Sequence, residues 1–136
     1  RFFENLVGML LGHPPESCGM LGSCTMQYVV EADGSVFPCD FYVLDEYKLG
    51  NLNTDTPTQL DAQREKLGFI TRSRDVFEAC TACPWFSLCR GGCKRNRIPL
   101  EGGAYGGNVF CAAYRKFFSY AAPRLQELAR ISRQRS

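Results

Sequence analysis

Apolar residues in the first twelve positions recur at helical spacing: Phe2, Phe3, Leu6, Val7, Leu10 and Leu11. They predict a helix that Gly12 stops ahead of Pro14-Pro15. Residues 16–25 lose that period. They form a small-residue loop in which Gly19, Gly22 and Ser23 let the backbone curl around Cys18 and Cys24, with Met20 and Met26 as packing residues. The period then shortens. Tyr28, Val29 and Val30 lead into Ala32-Asp33-Gly34-Ser35, and Val36-Phe37 returns, which predicts a β-hairpin ended by Pro38. Tyr47 to Asn51 reads as a turn, and 53–57 as a linker with helix-start chemistry. Residues 58–67 read as a polar helix, and Arg72 to Ala79 as another short one. Residues 101–107 read as a flexible loop. Asn108 can then cap a final helix with the stripe Phe110, Tyr114, Phe117, Phe118, Ala121, Leu125 and Leu128. Pro123 kinks that helix or starts a second one, and the basic tail from Arg130 frays.

Composition fits these elements to one small globular domain. The chain has 136 residues, 45% apolar and 22% charged. Its net charge of +2 is scattered, which argues against a nucleic-acid or membrane partner. No apolar run approaches the ~18 residues of a membrane span, and there is no secretory leader pattern. The chain opens at Arg1, so the expectation is a piece of a longer protein.

Candidate chemistry rests on eight cysteines. Four fall in one run, Cys80-x2-Cys83-x5-Cys89-x3-Cys93, and Cys18, Cys24, Cys39 and Cys111 flank it. A disulfide scaffold suits a secreted chain short of core, which this is not, so metal binding is the stronger reading. Thiolates in number select zinc or iron–sulfur clusters. Two arrangements fit the spacing. The run holds one zinc by itself and the flanking thiols another, or the Gly91-Gly92 pair reverses the chain so that Cys93 serves the second centre. His13 reads as a loop histidine and not a ligand. Asp40 reads as a turn aspartate or as a base beside Cys39. Lys94-Arg95-Asn96-Arg97 is a solvated helix face or a charge compensator for an anionic centre. Trp85 either excludes water from a cluster or simply packs.

These residues resemble a known family. The SPASM domain, a C-terminal extension of radical S-adenosylmethionine enzymes that modify peptides and proteins, has the arrangement C-x9–15-G-x4-C, C-x2-C-x5-C-x3-C and a last C. Here nine residues separate Cys24 from Gly34, four separate Gly34 from Cys39, and the run and Cys111 follow. The likeness is closest to the anaerobic sulfatase-maturating enzymes. It includes the additional Cys18, Pro38-Cys39-Asp40-Phe41-Tyr42-Val43, Glu46-Tyr47-Lys48-Leu49-Gly50-Asn51, Cys93-Lys94-Arg95-Asn96-Arg97 and Cys111-Ala112-Ala113-Tyr114.

The resemblance implies a small α+β fold: a β-hairpin, short helices and loops wrapped around two metal clusters, with a C-terminal amphipathic helix. It implies a linker over 1–15, a two-cluster domain over 16–122, and a terminal helix and tail over 123–136. One [4Fe–4S] cluster would be held by Cys18, Cys24, Cys39 and Cys93. The other would be held by Cys80, Cys83, Cys89 and Cys111. Asp40 matches the family's base, and the clusters would carry electrons. The chemistry implied is oxidation of a sulfatase Cys or Ser to Cα-formylglycine. The implied partners are a sulfatase precursor and a ferredoxin or flavodoxin-type donor in the cytoplasm. The C-x3-C-x2-C motif that binds the third cluster and S-adenosylmethionine is missing, because Asn96 stands where its last cysteine would be. The expectation is therefore the C-terminal third of such an enzyme, inactive alone. Two alternatives remain: an electron-relay domain of another SPASM peptide-modifying enzyme, and a zinc interaction module with two four-cysteine sites.

Overall fold

Asp33-Gly34 turns the hairpin as its sequence dictates. The Asp33 carboxylate accepts from the Ser35 amide and hydroxyl, both at 2.9 Å. Gly34 sits at φ 84°, where a side chain would also collide with Asn53. The computed structural model describes residues 1–135. They divide into two units: residues 24–74, and residues 1–23 together with those after 74.

The first of these, the hairpin unit, is built on β1 (Val29–Val30) and β2 (Ser35–Phe37). They pair antiparallel, with Val29 opposite Phe37 and Val30 opposite Val36. A third strand, β3 (Gly50–Asn51), joins the other edge of β2, so the last two residues of the stretch read as a turn are a strand. Side chains impose that pairing. Asp55 accepts from the Asn51 amide at 2.7 Å, and the Asn51 side chain donates to the Asp33 carbonyl at 3.0 Å. Thr56 and Gln59 form a reciprocal cap on α2 (Pro57–Lys66), with Pro57 where its missing N–H costs nothing. The helix is polar except where Leu60 meets Val36 and Leu49 as the core. Tyr42, Tyr47 and the buried Phe69 pack edge to face beside it.

The second, the helical unit, packs α1 (Phe2–Leu10) against α5 (Cys111–Arg135). Leu6, Met20, Leu88, Phe118 and Leu125 form its core, each side chain worth about 1.5–3 kcal/mol when fully buried. The long helix runs unbroken past Pro123 to Arg135, so no second helix starts there. Its buried stripe is Phe118, Ala122, Leu125 and Ala129, whereas Phe110 and Leu128 are exposed. Close helix packing wants small residues at two of those turns, which an apolar count overlooks. Arg72 to Ala79 is not one helix. It comprises a 3-10 turn over Thr71–Arg74 in the hairpin unit and α3 (Glu78–Thr81) in the helical unit. Next come α4 (Phe86–Cys89), β4 (Arg97–Pro99) and β5 (Tyr105–Asn108). The strands pair antiparallel with Arg97 opposite Asn108, so the second half of the expected glycine loop is a strand.

Candidate metal centre

Short helices with fixed ends aim the thiols. Within the helical unit, Cys80 lies in α3, Cys83 follows it, Cys89 ends α4 and Cys111 opens α5. These four line one hollow, closed on other sides by Trp85 and Tyr114. Trp85 also stacks on Phe118 at 6.1 Å between centroids, so it packs against the core while lining the hollow. Backbone bonds hold the spacing: the Cys83 amide to the Cys80 carbonyl at 3.1 Å, and the Cys89 amide to the Trp85 carbonyl at 2.8 Å.

The electrostatics are those of crowded thiols. Burial raises the Cys80 thiol, the charges of Cys111 and Cys83 raise it further, and Arg97 opposes them. Burial raises Cys89, against the Gly91 amide, with Cys111, Cys80 and Cys83 adding to the rise. Thiolates gathered this way repel one another unless a cationic centre takes them as ligands. No disulfide forms among the eight cysteines. Among the described residues, no three Cys, His, Asp or Glu side chains converge tightly enough for a single ion. An all-thiolate donor set is of the kind that zinc and iron–sulfur clusters take.

The other four thiols divide two to each unit. In the helical unit, the loop holding Cys18 passes Cys93: a Cβ on Gly19 would stand 3.7 Å from the Cys93 Cβ. In the hairpin unit, Cys24 adds its charge to the environment of Cys39. The Cys39 thiol is pushed up to about 11, by burial first, then by the neighbouring Asp40 and Cys24. The Cys24 amide donates to the Ser73 hydroxyl at 2.8 Å. Ser73, fully buried, anchors Cys24 from a stretch the sequence offered only as a helix.

Asp40 is exposed and opens a 3-10 turn over Asp40–Tyr42. Its Oδ1 accepts from the Phe41 amide at 3.1 Å and from the Cys39 thiol at 3.3 Å. The turn role and the position beside Cys39 thus coexist. His13 follows α1 and lines a polar hollow with Arg1, Glu4 and Glu16.

The basic stretch after Cys93 differs from its expectation. Lys94 and Arg97 are buried, and the segment is a 3-10 turn leading into β4, not a solvated helix. Lys94 Nζ lies 5.5 Å from the centre of the Tyr105 ring. Arg90, Gly91 and Gly92 take left-handed conformations in succession, at φ 50°, 79° and 65°. Arg97 grips that reversal. Its guanidinium donates to the Gly92 carbonyl at 2.9 Å and to the Gly22 carbonyl at 2.8 Å. Asn108, its partner across the strands, donates to the Gly91 carbonyl at 3.0 Å and accepts from the Phe110 amide at 2.8 Å. Sequence reading marked Asn108 as a helix cap; its hold on the Gly91 turn depends on the strand register.

The profile of SPASM, an iron-sulfur cluster-binding domain, matches residues 18–84. The chain is 47% identical over 129 residues to the cysteine-type anaerobic sulfatase-maturating enzyme of Clostridium perfringens, covering 95% of this chain and 35% of that enzyme. It is 30% identical over 125 residues to the serine-type anaerobic sulfatase-maturating enzyme of Bacteroides thetaiotaomicron, covering 90% of this chain and 30% of that one. It superposes on the solved structure of native anSMEcpe with bound AdoMet and Cp18Cys peptide at a TM-score of 0.86 and 47% identity, covering 96% of this chain and 36% of that one. The chain thus spans about a third of the length of the curated relatives it matches.

Proposed function

The chain belongs to the SPASM family of iron–sulfur cluster-binding domains, and from that premise we propose that it is the two-cluster domain of a radical S-adenosylmethionine sulfatase maturase. The observation that carries this is the gathering of Cys80, Cys83, Cys89 and Cys111, from separate stretches of chain, around one hollow. They hold one [4Fe–4S] cluster. Cys18 and Cys93, with Cys24 and Cys39, hold the second. The two-cluster domain spans 16–122, and the helix before it and the end of α5 after it frame the fold. Four thiolates per cluster leave no iron open to substrate, so the clusters, when bound, supply electron transfer.

The chain's own residues do the rest. Asp40, exposed beside Cys39, takes the proton that the substrate side chain loses on oxidation. Trp85 and Tyr114 keep water from the Cys80 set. The substrate is a sulfatase precursor whose residue becomes Cα-formylglycine. The greater identity to the cysteine-type enzyme favours a cysteine over a serine as that residue. Cleavage of S-adenosylmethionine, and the third cluster, belong to the rest of the enzyme, with a ferredoxin or flavodoxin-type protein supplying electrons. The reducing cytoplasm suits a chain whose eight thiols serve as metal ligands.

Iron, acid-labile sulfide and zinc measured per chain after anaerobic purification test this reading. About eight irons with matching sulfide are expected for this chain's thiols. About two zincs and no sulfide would overturn it.

A further inference from the structure

Asn108 ends β5 at 6% exposure and lines the hollow of Cys80, Cys83, Cys89 and Cys111. Its side-chain amide has one permitted orientation. The Phe110 amide donates to Oδ1 at 2.8 Å, and only an oxygen can accept that proton. Nδ2 is thereby turned to the Gly91 carbonyl, to which it donates at 3.0 Å. A Cβ on Gly92 would stand 2.5 Å from Nδ2, so glycine at that position leaves the amide its place. A carboxamide nitrogen carries two N–H donors, and the Gly91 carbonyl takes one of them. No second acceptor for Nδ2 stands among the described residues. A nearly buried donor is costly to leave unmet, and the hollow that Asn108 lines is ringed by sulfur.

We propose that Asn108 gives its second N–H to a sulfur of the cluster held by Cys80, Cys83, Cys89 and Cys111, and so sets that cluster's potential. This rests on the two-cluster reading above. Reduction adds one negative charge to the cluster and makes its sulfurs better acceptors. A donor fixed against them therefore favours the reduced form and raises the potential. The same amide ties three pieces of the helical unit together: the Gly91 turn, the end of β5 and the start of α5. Serine keeps an oxygen for the Phe110 amide, since both residues serve at helix starts, but it lacks the amide's second donor.

The test is an EPR-monitored redox titration of the full-length protein, loaded anaerobically, as wild type and Asn108→Ser. The relevant signal is the one that a Cys111→Ala variant loses. Asn108→Ser should shift the one-electron equilibrium about tenfold toward the oxidised form, about 59 mV more negative. A second readout is one that a purely structural asparagine would not give. With asparagine isotopically labelled at its side-chain nitrogen, the reduced wild type should show nitrogen hyperfine coupling on that same signal, and Asn108→Ser should lose it. Coincident titrations of the two proteins, or a wild-type signal without the coupling, would overturn the proposal. If Asn108→Ser fails to load iron, the wild-type coupling decides: its presence supports the bond to sulfur, and its absence reduces Asn108 to a scaffold. A wild-type protein without iron or sulfide would instead sink the two-cluster reading itself.

Discussion

The two thiol sets are built in different ways. Cys80, Cys83, Cys89 and Cys111 lie in one unit, fixed by two single-turn helices and the first turn of a long one. Cys18 and Cys93 belong to that same unit, but Cys24 and Cys39 are presented by the other, one tied to a buried serine and one at the end of the central strand. The first set depends on local helical geometry. In the proposed assignment the second set takes two thiols from each unit, with Cys93 following a three-residue left-handed reversal. A ring gathered inside one unit should survive damage that dissolves a ring assembled from pairs.

Removing single ligands tests this most severely. Cys111→Ala should lose about half of the iron bound by these thiols and leave the Cys18 set loaded, whereas Cys93→Ala should lose the other half. Iron analysis with EPR on the two variants checks it. If Cys93→Ala depleted the Cys111 centre instead, Cys93 and Cys111 would share one centre and the division of ligands would be wrong.

Asp40→Asn comes next. With both sets loaded normally, substrate oxidation in the full-length enzyme should fall by about 10²–10⁴-fold, the usual worth of a positioned acid–base group. Normal turnover with intact clusters would return Asp40 to its turn, where it accepts from the Phe41 amide.

Leu60→Ala separates the two constructions by packing alone. Leu60 is almost wholly buried against Val36 and Leu49. The variant should lose about 2–5 kcal/mol of stability. The hairpin unit should melt first in chemical denaturation, and the Cys24–Cys39 pair should release iron before the Cys80 set does. Simultaneous loss of both centres would mean that the units fail as one.

The contrast also governs what the sequence made legible. The hairpin, the polar helix and the cysteine spacing were readable because each is encoded within a few residues: Asp33-Gly34, Thr56 to Gln59, and the thiols themselves. The third strand was not, because two residues of Gly50-Asn51 carry no period and Asp55 and Asn51 impose the pairing. The second sheet was hidden by glycine, since Gly106 and Gly107 read as loop residues yet take strand conformation in β5. Arg97 was readable as a charge but not as a clamp. Its reach to Gly22 and Gly92 exists only once β4 and β5 have set it opposite Asn108. The expected aromatic stripe missed Ala122 and Ala129 because burial there follows the close approach of the helices, not residue size.

The smallest effect is the pH dependence of the metal-free protein, and it again sets the pairs apart from the ring. Cys39 is pushed from 9.0 to about 11, chiefly by burial and then through Asp40 and Cys24, while Cys80 and Cys89 are raised less far. A raised thiol means that the folded chain holds its proton more tightly than the unfolded chain does. The stability this gives is fully present below pH 9 and is lost as the pH rises through about 11. Loading runs the opposite way, since ligands must shed protons to bind, so iron uptake should improve over the same rise. Thermal melts of the metal-free protein between these limits should therefore fall with pH. Asp40→Asn should move the Cys39 transition to lower pH, because the carboxylate is among the groups that hold the thiol protonated. Cys39→Ala should flatten the loss more than Cys80→Ala does. If the two alanine variants flattened it equally, the protonated thiols would be shared evenly between the two sets, and the exceptional environment assigned to Cys39 would not exist.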